Sequence, residues 1–208
     1  LSQKWTVTEV NNSMPKDNNQ YISITWMRPD SNDSNSSGEE YTTNLQVSSY
    51  EVQNVTATLE NHVGYINVRQ ISDNSDQLIN DSVNNLIVNG AKAFVLDLRD
   101  CPGGYLPNAI NIASIFQKSG TVVTVETRDG KSSRTVSGAI TTDLPLVVLV
   151  NQNTSNVAEV LAASLQESGR ANIVGVTTQG KGSVQIVRRL SFGGALRFTA
   201  AKYFSPKN

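Results

Sequence analysis

Residues 144–170 have the sequence LPLVVLVNQNTSNVAEVLAASLQESGR, which runs from an apolar stretch into a helical pattern. The apolar residues 144–150 are typical of a strand that is covered on both faces. After a polar turn, apolar residues recur at helical spacing and stop near Gly169, so we expect a helix that ends there. A strand that is followed at once by a helix is one unit of an α/β fold.

The same alternation extends on both sides of this stretch, from Val63 onward. Strands are predicted at 63–68, 93–98, 122–125, 144–150, 172–176, 184–190 and 196–204, and further helices at 76–88 and 107–116. Alternating strands and helices favour an α/β layered core with a largely parallel sheet. We assign residues 61–208 to this core.

The N-terminal residues 1–60 have a different texture and are predicted to form a β-rich region. Two runs of alternating residues, 21–26 and 41–47, indicate strands. Between them, residues 29–38 are polar and indicate an exposed, mobile hairpin tip. Because the region holds too few apolar residues for a core of its own, we interpret it as a fragment of a small β domain.

The charge balance and the rare residues exclude several kinds of site. With 17 basic and 18 acidic residues, the chain lacks an electrostatic footprint for nucleic acid or an anionic membrane surface. The single histidine, His62, and the single cysteine, Cys101, exclude a His-rich zinc site and a disulfide within the chain. We therefore expect no metal and no cofactor. A surface rich in Asn, Ser, Thr and Gln is typical of an extracytoplasmic protein.

Three segments follow predicted strands, and ligands bind at the carboxyl ends of strands in open α/β sheets. In the first, Gly103 and Gly104 form either an ordinary strand-to-helix turn or a pair of N–H donors for a developing oxyanion. In the second, Lys181 lies between two glycines before an apolar strand. It is either a solvated charge or, if buried, a general base. Gln185, on the same face of the strand, is then placed to accept its hydrogen bond.

The third segment is the polar turn between the strand and the helix predicted within residues 144–170. Asn156 lies in this turn. Asparagine is a preferred helix N-cap, and Glu159 three residues later completes a capping-box pattern. A sharp strand-to-helix turn is also where many hydrolases hold a nucleophile, because the helix N-terminus offers free N–H groups. The residues alone leave both interpretations of Asn156 open.

Together and in this order, the segments resemble the carboxyl-terminal processing peptidases, also called tail-specific proteases, a family of S41-type serine peptidases with a Ser–Lys dyad. The resemblance runs from Gly64 to Phe204. The sequences that carry it are GYINV, FVLDLRDCPGG, LPLVVLVNQNTSNVAEVLAASLQESGRANIVGVTTQGKGSVQ and LRFTAAKYFSP. It extends more faintly upstream, where residues 21–47 resemble the last strands of the PDZ domain that usually precedes this peptidase core.

The resemblance implies a role for each candidate residue. Lys181 in GKGSVQ matches the general-base lysine, and Gln185 matches the residue that orients it. Gly103 or Gly104 matches the oxyanion-hole glycine, with the N–H of Val157 as the second donor. In the family, the motif before the helix reads roughly Ser/Thr-Ala-Ser-Ala-Ser/Ala-Glu, with the middle serine as nucleophile. Aligned on Glu159 and on the separation from Lys181, that position is Asn156.

An asparagine at this position departs from the family, because a carboxamide has no ionisable oxygen that attacks a carbonyl. Three explanations remain open from the sequence. Asn156 is a substitution made to trap a substrate, or the chain is a natural pseudo-protease, or Ser155 or Thr154 serves as nucleophile after a local shift. The last explanation is physically difficult, because a shift of one residue at a helix start rotates the side chain by about 100° away from Lys181.

The resemblance implies a crotonase- and ClpP-like layered core and a serine endopeptidase that cleaves unfolded or C-terminal peptide segments, inactive here because of Asn156. The alternative is a pseudo-protease that binds peptides or acts as a scaffold. The core also resembles the wider crotonase-like group, but nothing in the sequence indicates an adenine or pantetheine site. We expect a peptide or unfolded-protein partner, no nucleic acid, and association with the cell envelope through a segment outside this sequence. The sequence does not determine the oligomeric state.

Overall fold

The computed structural model describes residues 20–28, 39–46 and 53–207, so the hairpin tip expected at 29–38 lies outside the described residues. The chain divides into two compact units, 1–52 and 53–208. The domain boundary expected from the sequence, between residues 60 and 61, lies on the C-terminal side of this division. Residues 55–60 form the first strand of the second unit and pair with the strand at residues 63–68.

The described part of the first unit is an antiparallel hairpin of β1 (Tyr21–Arg28) and β2 (Glu39–Gln46). The rings of Trp26 and Tyr41, which are directly opposite in the register, stack with their centroids 4.8 Å apart. Both strands were predicted from their alternating sequences. Stacked aromatic pairs across an antiparallel ladder fix its register.

The second unit contains a five-stranded sheet that carries the helices. Its elements in chain order are β3 (Val55–Glu60), β4 (Val63–Val68), α1 (Ser75–Val88), β5 (Ala93–Asp97), α2 (Leu106–Phe116), β6 (Thr121–Thr127), β7 (Gly130–Thr135), β8 (Leu146–Val150), α3 (Val157–Glu167), β9 (Asn172–Gly175), β10 (Ser183–Arg189) and β11 (Ala195–Phe204). The five-stranded sheet has the order β3-β4-β5-β8-β9. Only the β3–β4 pair is antiparallel, so the prediction of an α/β core with a mostly parallel sheet is confirmed.

Alternate residues of the central strands form the core, because successive side chains of a strand point to opposite faces. Ile66, Leu96 and Val148, one from each central strand, are completely buried. The helices bury apolar stripes such as Ile79 of α1 and Leu161 of α3. Each such side chain contributes about 1.5–3 kcal/mol on leaving water. No helix in the described ranges is both long enough and apolar enough to cross a bilayer.

A second sheet has the order β10-β11-β6-β7 and is antiparallel throughout. The sequence predicted three of its strands but not β7, whose residues GKSSRT are all exposed and lack an apolar alternation. It also did not predict β3, which lies in the region assigned to the β-rich N-terminal part. β10 begins immediately after Gly182, so this second sheet positions the segment that contains Lys181.

Candidate active site

The carboxyl ends of β5 and β8 bring two of the three candidate segments side by side. The strands are parallel neighbours, with Asp97 opposite Leu149, so the loops that follow them leave the same edge of the sheet. The N–H of Ser155 donates to the carbonyl of Cys101 at 3.0 Å, which ties the turn before α3 to the loop after β5. The third segment joins them through Gln179, whose N–H donates to the carbonyl of Thr154 at 3.1 Å.

Asn156 adopts a backbone conformation that costs free energy for any residue with a side chain. Its φ is 57° and its ψ is −125°, angles that belong to the first central position of a type II′ turn, where glycine is preferred. Such strain costs about 1–3 kcal/mol and occurs mainly at functional sites. The capping box predicted from Asn156 and Glu159 is present at the start of α3, and its return bond runs from the N–H of Asn156 to the Glu159 carboxylate at 2.8 Å. An N-cap residue ordinarily has extended backbone angles, so capping alone does not account for the positive φ at this position.

The Glu159 carboxylate holds the turn before α3 and the glycine-rich loop together. Its Oε2 accepts the backbone N–H groups of Asn156 and Lys181, both at 2.8 Å. Its Oε1 accepts the hydroxyl of Thr178 at 2.7 Å and the N–H of Gly180 at 2.6 Å. The amide nitrogens of Asn156 and Lys181 are therefore at most two hydrogen-bond lengths apart.

The diglycine turn packs directly against the start of α3. Gly103 has a φ of 88°, and a Cβ at that position would lie 2.8 Å from the carbonyl oxygen of Ser155 and 2.9 Å from the nitrogen of Val157. Only glycine permits this approach. Val157 is the first residue of α3, so its N–H has no acceptor within the helix.

Gly104 forms an isolated parallel bridge with Ile71. The bridge is made by the N–H of Ile71 to the carbonyl of Gly103 and by the N–H of Tyr105 to the carbonyl of Ile71, both at 3.0 Å. In a parallel bridge of this kind, the N–H of the central residue points away from its partner strand. The N–H of Gly104 is thus directed away from Ile71.

An ion pair next to the diglycine turn fixes the end of β5. Asp97 is 1% exposed and accepts hydrogen bonds from the backbone N–H of Arg99, from the Arg99 guanidinium, the shortest at 2.6 Å, and from the hydroxyl of Tyr65. Burial alone would raise the pKa of Asp97, but the hydrogen bonds from Arg99 and Tyr65 outweigh it and hold this pKa below its ordinary value. The ionised carboxylate anchors the loop that leads to Gly103.

Thr154 and Ser155 are both buried, and their hydroxyl groups are occupied. The hydroxyl of Thr154 donates to the carbonyl of Leu98 at 2.8 Å, and that of Ser155 donates to the side-chain oxygen of Gln179. Ser155 is 5% exposed and Thr154 is completely buried. The explanation that either serves as nucleophile after a local shift disagrees with these contacts.

Lys181 and Asn156 line the same cavity, which has a volume of about 210 Å³. Apolar side chains form much of its remaining wall, among them Val160, Ala163 and Phe204. Lys181 itself is exposed. Of the two alternatives left open for Lys181, the structure has the exposed side chain and not the buried one.

The hydrogen bond expected between Lys181 and Gln185 is also absent from the described residues. The Gln185 amide instead donates to the hydroxyl of Thr199 at 2.6 Å. The spacing argument failed because Lys181 precedes β10, and because the ladder shifts register between Val184 and Gln185.

The single histidine and the single cysteine lie away from this chemistry. The ring of His62 lies within 3.0 Å of the carbonyl of Gly90, in the turn before β4, at the opposite edge of the sheet. Cys101 is completely buried, and burial raises the pKa of its thiol despite a hydrogen bond from the backbone of Gly103. A protonated, enclosed thiol is a poor nucleophile. No group of three His, Cys, Asp or Glu side chains in the described ranges is arranged to hold a metal ion.

Comparison with known proteins identifies the family. A model of peptidase family S41 matches residues 62–208. A carboxyl-terminal-processing protease of Synechocystis sp. is 42% identical over 147 residues, which are 70% of this chain and 34% of that protein. Carboxyl-terminal-processing peptidase 2 of Arabidopsis thaliana, named as chloroplastic, is 38% identical over 149 residues, or 69% of this chain and 28% of that protein.

Among solved structures, a photosystem II D1 C-terminal processing protease superposes with a TM-score of 0.69 at 27% identity. The match covers 92% of this chain and 52% of that structure. The chain spans about a third of the length of the curated relatives it matches. The resemblance inferred from the motifs is confirmed: the chain belongs to peptidase family S41.

Proposed function

We propose that this chain carries the catalytic core of a C-terminal processing serine endopeptidase, with Asn156 at the position of the nucleophile. The observation that carries the proposal is the double hydrogen bond of Glu159 Oε2 to the amides of Asn156 and Lys181. It holds the strained turn and the lysine loop at one cavity. A cluster of nucleophile position, amine and free N–H donors has the geometry that acyl transfer requires.

In this proposal, a serine at position 156 attacks the scissile carbonyl while the amine of Lys181 accepts its proton. The oxyanion of the tetrahedral intermediate receives hydrogen bonds from the N–H of Val157 and from the diglycine turn. Gly104 is favoured as that second donor, because its N–H is directed away from Ile71. The lysine then delivers its proton to the leaving amine, and water hydrolyses the acyl-enzyme.

Gln185 is proposed to orient Lys181 once a substrate is bound. In the structure described here its amide donates to Thr199, so the role requires a side-chain rotation. The apolar wall of the 210 Å³ cavity fits an apolar side chain next to the scissile bond. The substrates proposed are unfolded proteins and C-terminal peptide segments, because the binding of extended chains relies on main-chain contacts.

With Asn156 in place, the proposed activity of the chain as it stands is peptide binding without hydrolysis. The carboxamide cannot form an acyl-enzyme, while the cavity and the N–H donors remain. A pseudo-protease that binds peptides is therefore the second candidate. We further propose that residues 1–60 are part of a PDZ-like domain, that the protein acts outside the cytoplasm, and that a segment outside this sequence associates it with the cell envelope.

Hydrolysis of an unfolded, reduced and alkylated protein tests the proposal. We expect no cleavage by the unaltered chain, cleavage by Asn156→Ser, and loss of that cleavage on adding Lys181→Ala. The control is Lys92→Ala in the Asn156→Ser background, because Lys92 is exposed and precedes β5 at the opposite edge of the sheet. Cleavage that survives removal of Lys181, or a folded Asn156→Ser chain that remains inert, would show that the Ser–Lys assignment is wrong.

A further inference from the structure

Beyond the cavity, β10 and β11 form an exposed basic hairpin that leads away from Lys181. Residues 186–189 of β10 and 195–199 of β11 are all exposed. Residues 183–199 contain three arginines, Arg188, Arg189 and Arg197, and no Asp or Glu, although the whole chain has a net charge of −1. The salt bridges found within the described ranges join Arg99 to Asp97 and Lys131 to Glu126, and none involves these three arginines.

The register of the hairpin separates its side chains into two faces. Gln185 lies opposite Thr199, Val187 opposite Arg197, and Arg189 opposite Ala195. Since alternate residues of a strand share a face, Gln185, Val187 and Arg189 line one side of β10, with Arg197 beside them. The face that begins at the proposed lysine-orienting residue is therefore basic. We call Gln185, Val187, Arg189 and Arg197 the arginine face.

The free side of β10 offers main-chain groups to an extended chain. Among the strands of residues 20–28, 39–46 and 53–207, β10 lies at the edge of its sheet, and an edge strand presents a row of N–H and C=O groups that pair with an added strand. Lys181 lies two residues before the strand begins. A chain paired along this edge therefore runs directly from the cavity past Arg189.

We propose that β10 binds the substrate as an added strand and that the arginine face selects segments with acidic residues some distance from the scissile bond. The inference rests on the proposed function and deepens it by naming a substrate class. Arg189 lies eight residues beyond Lys181, which at ~3.3 Å per residue corresponds to at most ~26 Å. The acidic residues of the substrate then lie six to eight residues from the scissile bond. They lie on only one side of that bond, because the added strand pairs with β10 in a single direction.

Peptide binding by the unaltered chain tests this inference without requiring hydrolysis. The probes are fluorescein-labelled 20-residue peptides with a central apolar segment and a pair of Glu, Gln or Lys residues near one end or the other. For one of the two positions of the pair, we expect the Glu peptide to bind about tenfold more tightly than the Lys peptide with its pair at the same end, at low salt. This preference should shrink as salt rises, because exposed ion pairs are screened.

The matched variants separate a local effect from a change in net charge. Arg189→Gln combined with Arg197→Gln should weaken binding of the preferred Glu peptide about fivefold and leave the Gln peptide unchanged. Arg128→Gln combined with Arg134→Gln removes the same charge from β7 and the turn before it, and should have no such effect. N-methylation of alternate amides in the peptide should also weaken binding, because it removes the donors of an added strand.

Several outcomes would overturn the inference. Equal weakening by both pairs of variants would mean that net charge alone attracts the peptide. Binding of all peptides with no preference for Glu would refute the arginine face while leaving the peptide cleft intact. Failure of every peptide to bind would refute both this inference and the proposed cleft. Binding of phosphatidylglycerol vesicles that depends on Arg189 and Arg197, with no Glu preference, would assign the face to a membrane surface.

Discussion

Removal of the Glu159 carboxylate should loosen both halves of the candidate site at once. In Glu159→Ala, four donors lose their acceptor: the N–H groups of Asn156, Gly180 and Lys181, and the hydroxyl of Thr178. Gly180 and Lys181 are exposed, so water replaces part of what they lose, whereas Asn156 and Thr178 are half-buried. Each exposed donor is assigned about 0.5 kcal/mol and each half-buried donor about 1 kcal/mol, so the free energy of unfolding of the variant falls by about 3 kcal/mol.

The isosteric variant Glu159→Gln should cost less, because its amide can be oriented to keep most of the contacts. With its oxygen in the place of Oε2, it still accepts from Asn156 and Lys181. The hydroxyl of Thr178 can rotate to accept from the new amide group. Only the N–H of Gly180 loses its partner, and because it then faces the new NH2 group instead of water, the cost rises to about 1 kcal/mol.

Thermal and urea unfolding followed by circular dichroism measure these differences. For a chain of this length, 1 kcal/mol lowers Tm by about 2–4 °C, so we expect losses of about 6–12 °C for Glu159→Ala and 2–4 °C for Glu159→Gln. Glu126→Gln, which removes one exposed ion pair with Lys131 at 3.6 Å, is the control and should change stability by less than about 0.5 kcal/mol. In the Asn156→Ser background, proteolysis should fall at least tenfold with Glu159→Ala. Unchanged stability and unchanged proteolysis would refute the bridging role of Glu159.

Three further substitutions test the local geometry. Asn156→Gly should raise the free energy of unfolding by about 1 kcal/mol in urea titrations, because relief of ~1–3 kcal/mol of backbone strain exceeds the ~0.5–1 kcal/mol cost of glycine's freedom in the unfolded chain. Gly104→Ala should lower Tm sharply, because its Cβ would lie 1.9 Å from the carbonyl oxygen of Ile71. Asp97→Asn should destabilise the chain at neutral pH, and its difference from the parent should shrink as pH falls. The pKa of Asp97 is held below its ordinary value of 3.8 by Arg99, so the parent gains stability above pH 4 and loses it as the pH falls through that lowered pKa. Unfolding curves between pH 2.5 and 7 measure this convergence, and a constant difference would contradict it.

The parallel sheet and the three helices could be predicted because their apolar residues follow the period of the structure. The strand at 63–68 was predicted with its observed bounds, and the helix at 76–88 differs from α1 by one residue. β7 could not be predicted in this way, because its stability comes from main-chain pairing with β6 rather than from buried side chains. Periodicity reports burial, so strands exposed on both faces leave no such signal.

The candidate site was predictable as a set of segments but not as a set of contacts. The sequence placed Asn156, Lys181 and Gly103 after strands, and the structure brings the segments together at one edge. Glu159 was interpreted only as half of a capping box, because its partners Thr178 and Gly180 lie far along the chain. The expected contact between Lys181 and Gln185 failed because of a change in strand register that no local pattern announces.

Covalent labelling at position 156 tests the central claim most directly. The full chain carrying Asn156→Ser would be incubated with a fluorophosphonate, a reagent that labels activated serines, and analysed by intact mass and peptide mapping. The account predicts one adduct, located at position 156, which disappears when Lys181→Ala is added and persists when Lys92→Ala is added instead. A folded Asn156→Ser chain that acquires no adduct, or one whose labelling does not depend on Lys181, would contradict the claim that these two positions form one catalytic pair.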